Sequence, residues 1–427
     1  MSDLLIRGGS PISGTIKPSG NKNAVLPMLC ATLLTDQEIT LTNVPEISDM
    51  EKFRTFFEQM GSEIRWDRDT QTAVIRHTDV PQTTELPTGI RSSVMLIAPM
   101  VQRVGNIVFD TSSKGCELGL REIDPHLKII EQFGCKLTGS HPYVIDAPDQ
   151  LIGTDIWADY ASVTATETFI MMAVLAKGTS VLNNSACEPH VQEFCLFLNR
   201  MGAQIEGIGT SKLLITGVES LTGCSYRVPD DHHEVATYLA IAGVSGGRLT
   251  VETDCIEHVP LILRQLEKLG MEFTITESSI TVESWSREVQ KPLTAEMVPK
   301  IEAAPWPYFP ADLLPQFIAV ASGCNGQVMF WNKIYEGALA WVGDLASFGV
   351  KAHLSDPHRA IIFGDADNLR PASVSAPYII RVVVAYFILA CQIPRESKIK
   401  NADPLRRAHP HFVEKLTALG ADVEWVD

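Results

Sequence analysis

The sequence predicts an α/β fold made of six repeated units whose helices lie buried among sheets, and three observations predict it. First, six segments share one form: an apolar-periodic helix end, a bulky apolar residue, glycine, and a strand-like continuation. They read FFEQMGSEI, IIEQFGCKL, FLNRMGAQI, QLEKLGMEF, DLASFGVKA and KLTALGADV, with glycines at Gly61, Gly134, Gly202, Gly270, Gly349 and Gly420. The spacings of 73, 68, 68, 79 and 71 residues define a period, and it is too long for solenoid repeats of roughly 20 to 50 residues. Second, each unit also holds a segment that is apolar nearly all round. Third, short alternating runs lie between the helical segments.

The elements follow in order. Each recurring glycine is expected just past a helix C-cap, where a left-handed backbone suits glycine, and a strand follows it. Polar turns such as NVPEISDME, GLREIDPH, NNSACEPH, ETDCIEHVP, NKIYEGAL and NADPLRRAHPH carry the proline and acidic residues that start helices. The second helix of each unit is NAVLPMLCATLL, RSSVMLIAPMVQ, ATETFIMMAVLAK, EVATYLAIAGVS, DLLPQFIAVASG or SAPYIIRVVVAYFILA. With no polar face, such helices must be buried. Runs such as ITLTNV, IVFDT, SVLNNS and RLTVET have the alternation of half-covered strands.

Composition narrows the function. A chain of 427 residues, 45% hydrophobic, can bury roughly three quarters of its unfolded surface and favours two or more domains. The start MSDLLIRGGS lacks the basic and apolar regions of a secretory signal. The run VVVAYFILAC is about half the length needed to cross a bilayer, so a soluble, cytoplasmic protein is expected. A net charge of -16 argues against nucleic acid and anionic membranes, which demand a basic face. Any anionic substrate must then be gripped by individually placed arginines and lysines.

The nine cysteines form no CxxC pair and cannot all pair, so free thiols and no zinc site are expected. His232 with His233, and His409 with His411, read as histidines flanking turns rather than metal ligands. Cys30 and Cys391 lie in apolar runs and read as small buried hydrophobes. Cys116, in KGCELGLREIDPH, sits in a glycine-rich polar setting instead.

The stretches SGNKNAVLP, ASVTATE, CEPHVQEF and APWPYFPAD and the glycine-cysteine loop resemble those of the enolpyruvyl transferases, and the resemblance runs from IRGGSPISGTIKPSG to the last GADVEW. It implies two domains of three βαβαββ-like units each, residues 22–229 and residues 1–21 with 230–427, with the active site in the cleft between them. The implied reaction moves the enolpyruvyl group of phosphoenolpyruvate to a sugar hydroxyl of UDP-N-acetylglucosamine, releasing phosphate, without a cofactor. It belongs to peptidoglycan biosynthesis.

That chemistry needs a proton for the methylene carbon, a base for the hydroxyl, and cations for carboxylate and phosphate. By the resemblance Cys116 is the general acid on a loop that closes, and the epoxide fosfomycin would alkylate it. Asp312 is the base, although alone it reads as a helix-start aspartate. Lys22, Arg121, Arg370 and Arg407 are the cations for phosphoenolpyruvate; singly, each reads as a surface charge. Asn23, Arg91, Asp124, Ser162, Val163, Thr164, Asp312, Ile334 and Tyr335 stand where the family contacts the acceptor, Ser162 and Val163 offering a helix start to a phosphate.

Several positions depart from the family pattern. Glu122 puts a negative charge beside the nucleotide site, and Thr164 replaces a glycine. Tyr335 replaces a phenylalanine, Ala338 an arginine and Asn368 an acidic residue, while Arg407, Ala408, His409 and Pro410 stand in place of RGYE. These changes fall on the acceptor side, so a different acceptor such as UMP, in a nucleoside antibiotic pathway, is the alternative. The shikimate-phosphate branch lacks the loop cysteine and fits less well. From another class, a silent nucleotide-binding paralogue is disfavoured by the retention of Lys22, Cys116, Arg121, Asp312 and Arg407.

Overall fold

The computed structural model describes residues 2–77, 86–87, 93–109, 122–139, 142–294 and 296–426. The described residues of 2–19 and 230–426 form one compact unit, and those of 20–229 form the other. Each unit has its own hydrophobic core.

The six recurring glycines all take positive φ, from 84° to 104°, as a helix stop by glycine requires. Upstream of them lie helices Ser48–Gln59, Asp124–Gln132, Pro189–Arg200, Pro260–Lys268 and Phe412–Ala418. The fifth unit differs: Ala340–Phe348 winds as a nine-residue 3-10 helix. Gly343 within AWVGDLASF weakens the α-helical preference there.

The second set of helices is buried as the apolar pattern predicts: Lys22–Ala31, Ser93–Val104 and Val163–Ala173 in one unit, His232–Val244, Leu314–Ser322 and Ile380–Cys391 in the other. Every residue of His232–Val244 and of Leu314–Ser322 is buried. Side chains of these helices meet one another and the sheets, so none needs a polar face.

Among the described residues there are six sheets, three in each unit. The chain start closes one unit. Asp3–Arg7 pairs antiparallel with both Glu396–Lys400 and Asp422–Val426, with Leu4 opposite Ile399 and Trp425. Gly14–Ile16 then runs parallel to Leu249–Glu252. In the other unit Ser225–Arg227 returns to lie parallel to Ile39–Thr42. Among the described residues no helix is long and apolar enough to cross a membrane.

Candidate functional site

Within their own units Lys22, Asn23, Ser162, Val163 and Asp312 lie at or just before the starts of buried helices, where free backbone N–H groups and the helix dipole favour anions. Arg91, Cys116 and Arg121 lie outside the described residues.

In the unit of residues 20–229, Asn21 caps the Lys22–Ala31 helix, its side chain accepting from the N–H groups of Asn23 and Ala24. The cap fixes Lys22 and Asn23 in the first turn. Lys22 Nζ lies 2.7 Å from Asp49 Oδ2, and the two side chains are only 22% and 13% exposed. Asp49 orients the ammonium and lowers the cost of burying it.

Ser162 caps the Val163–Ala173 helix, its Oγ accepting from the Ala165 N–H at 3.4 Å. Asp124 opens the Asp124–Gln132 helix with Pro125 behind it. Buried His126 ties the two helix starts together, its Nε2 3.1 Å from Thr164 Oγ1 and its Nδ1 2.8 Å from Thr168 Oγ1. The Thr164 hydroxyl, expected from sequence beside the phosphates, is thus engaged by His126. Next to Ser162 a cavity of about 360 Å³ is lined by Pro125, Lys128, Trp157, Tyr160 and Thr166. Trp157 and Tyr160 are 78% and 50% exposed, leaving aromatic surface available to a ligand.

In the other unit Asp312 sits in a 3-10 turn, Ala311–Leu313, leading into Leu314–Ser322. Its carboxylate lies 3.6 Å from Arg381 Nη2. Arg381 is the second residue of the Ile380–Cys391 helix, and sequence reasoning missed it. The available signal was a lone charge opening an otherwise apolar run. Arg370 is placed differently: its guanidinium donates to the carbonyls of Ala346 and Ser347 at the end of the 3-10 helix.

Asp231 caps His232–Val244 and accepts from the His233 N–H at 2.8 Å. Burial would push its carboxyl up, but the His233 contact and the charges of His233, Arg381 and His232 outweigh burial and hold it well below the carboxylate range. His232 and His233 do not flank a turn at the surface. Both are buried, with ring centroids 4.1 Å apart, and His232 also meets the rings of His258 and Trp306. Ligand atoms of Asp231, His232 and His233 come within 4.8 Å of one another, but the positive helix start and the Arg381 charge oppose a cation there.

Arg407 lies in the last turn of the short Asp403–Ala408 helix and over the Tyr378 ring, 5.4 Å from its centroid, with Nη1 3.4 Å from the phenol oxygen. Its Nε is buried without a hydrogen-bond partner, and no carboxylate pairs with Arg407 among the described residues. Ile334 and Tyr335 are held by the Asn332 side chain, whose Oδ1 accepts from both backbone N–H groups.

Comparison with known proteins places the chain in a family. Residues 6–416 match the family model described as EPSP synthase (3-phosphoshikimate 1-carboxyvinyltransferase). The chain is 35% identical over 432 residues to UDP-N-acetylglucosamine 1-carboxyvinyltransferase of Treponema denticola, covering 99% of each. It is 37% identical over 427 residues to the protein of that name from Bradyrhizobium diazoefficiens, covering 99% of this chain and 97% of the relative. Among solved structures, the enolpyruvyl transferase NikO from Streptomyces tendae superposes with a TM-score of 0.86 at 20% identity, over 100% of this chain and 99% of that one. EPSP synthase from Acinetobacter baumannii superposes at 0.77 and 15% identity over the full length of both. With a fold, a repeat pattern and full-length relatives in agreement, the chain belongs to the enolpyruvyl transferase family.

Proposed function

We propose that this enzyme transfers the enolpyruvyl group of phosphoenolpyruvate to a sugar hydroxyl of UDP-N-acetylglucosamine, in the cytoplasm, as a step of peptidoglycan synthesis. The observation that carries this reading is the 35% and 37% identity, over nearly the whole chain, to relatives with that named activity. The aromatic cavity beside Ser162 supports a nucleotide acceptor, since a base can stack on an exposed ring.

In this reading Cys116 donates a proton to the methylene carbon while the sugar oxygen bonds to the central carbon. Asp312 takes the proton of the attacking hydroxyl. The tetrahedral adduct then loses a proton from its new methyl group and expels phosphate, which restores the vinyl group on the acceptor. Lys22, Arg121 and Arg407 grip the carboxylate and phosphate, matching charge on an otherwise acidic protein. Arg381 joins the site through Asp312. Asn23, Arg91, Asp124, Ser162, Val163, Ile334 and Tyr335 hold the acceptor, and Arg370 is a further cation for phosphoenolpyruvate.

The fold likeness to NikO, together with Glu122 and Thr164, supports the second reading, transfer to another nucleotide such as UMP. Phosphate release from phosphoenolpyruvate, measured with UDP-N-acetylglucosamine, UMP, UDP and no acceptor, decides between them. Release that requires UDP-N-acetylglucosamine supports the first, release only with another nucleotide supports the second, and silence with all contradicts both.

A further inference from the structure

Two anchors from separate elements converge on the segment that carries Arg407. One is the Tyr378 ring beneath its guanidinium. The other follows two residues later, where His409 ends the helix and its backbone N–H donates to the Leu405 carbonyl at 2.8 Å. His409 Nδ1 lies 2.7 Å from Glu234 Oε1, with side chains only 11% and 6% exposed. Glu234 belongs to the first turn of His232–Val244 and is far away in sequence. Its other oxygen accepts from the Ser19 N–H at 2.7 Å and faces the Tyr238 hydroxyl at 3.4 Å. Lys415 closes the cluster by donating to Ser19 Oγ at 3.0 Å.

A six-residue helix is too short to hold its own shape. It is fixed by what its ends touch. The buried contact between His409 and Glu234 therefore sets where the backbone of residues 407–409 lies, while Tyr378 sets the guanidinium plane. Arg407 has no carboxylate partner among the described residues to hold it in place, so these two anchors determine its aim.

We propose that His409 is a positioning residue for Arg407: its contact with buried Glu234 latches the end of the short helix and presents a preorganised guanidinium to an anionic substrate. The proposal rests on the reading that Arg407 binds phosphoenolpyruvate. Preorganisation lowers the cost of binding rather than adding a contact. Its loss should therefore appear in the affinity for one substrate.

The test compares His409→Ala and His409→Asn with the wild type. Asparagine carries an N–H donor near the position of Nδ1 and serves as the conservative replacement. With His409→Ala, KM for phosphoenolpyruvate should rise about 10-fold, the scale of one lost hydrogen bond to a charged group. The change in kcat and in KM for the acceptor should stay within about 3-fold, and His409→Asn should recover most of the loss. Independently of turnover, phenylglyoxal should modify Arg407 faster in His409→Ala than in the wild type, read by peptide mass spectrometry on protein whose thermal unfolding remains cooperative. An unchanged KM for phosphoenolpyruvate with unchanged Arg407 reactivity would overturn the proposal while leaving the proposed function standing. If the wild type releases no phosphate, the functional reading fails, and the Arg407 modification rate still decides the latch.

Discussion

The guanidinium of Arg381 lies 3.6 Å from the Asp312 carboxylate, and the two side chains are 14% and 27% exposed. An arginine so placed restrains the direction of the carboxylate. Asp312→Asn should lower kcat by at least about 100-fold, the usual scale for a lost general base. Arg381→Gln should lower it less, and the double variant should resemble Asp312→Asn because both changes act on one group. Steady-state kinetics of the three proteins check this; additive losses would separate Arg381 from Asp312.

Lys22 and Asp49 make a partly buried pair at 2.7 Å, so removing the cation takes away the ammonium that faces a partly buried carboxylate. Lys22→Ala should cost about 2 kcal/mol of stability, less than the roughly 3–5 kcal/mol of a fully buried pair, and should abolish turnover. Adding Asp49→Asn should recover stability without recovering turnover. Denaturant unfolding and phosphate release, measured on the same preparations, distinguish the structural role of Lys22 from its role toward substrate.

The eight described cysteines are poor nucleophiles. Burial pushes Cys135 and Cys187 up to about 11 and Cys255 and Cys324 up to about 12, and raises Cys30, Cys195, Cys224 and Cys391 as well. A thiol so protected stays protonated and slow to react at neutral pH. If Cys116 is the general acid, fosfomycin should label one thiol per chain, at Cys116, and Cys116→Ser should abolish both labelling and most turnover. Mass spectrometry of the alkylated peptides reads the site.

His77 gives a pH signature of stability. Its ring lies between the hydroxyls of Thr32 and Ser62, and burial, then the Arg103 charge, pulls it down to about 3. The unfolded chain therefore binds a proton that the folded chain refuses between pH 6.5 and pH 3, so the contribution is present above that window and lost as pH falls through it. The slope is about 1.4 kcal/mol per pH unit. His77→Gln should flatten the stability profile in this window, whatever it does to stability at pH 8.

Much of the fold was legible because its marks are local. A glycine at positive φ after a helix, as at Gly61 or Gly420, leaves a fixed signature, and a helix with no polar face, such as Ile380–Cys391, can only be buried. The 3-10 winding of Ala340–Phe348 was not legible, since a single glycine, Gly343, does not exclude an α-helix in a segment with the length and apolar content of an ordinary one. The polar groups were hardest. His232 and His233 look like turn residues, and their burial depends on Asp231 and on rings from distant segments. Arg381 reaches Asp312 through the packing of two helices. The contact of Arg407 with Tyr378 has meaning only once that packing is known.

The most direct measurement is the identity of the product after incubation with phosphoenolpyruvate and UDP-N-acetylglucosamine, read by nuclear magnetic resonance alongside released phosphate. The account predicts UDP-N-acetylglucosamine carrying an enolpyruvyl ether on a sugar hydroxyl, formed in equal amount with phosphate. An unmodified sugar nucleotide after prolonged incubation with folded, concentrated enzyme would contradict it.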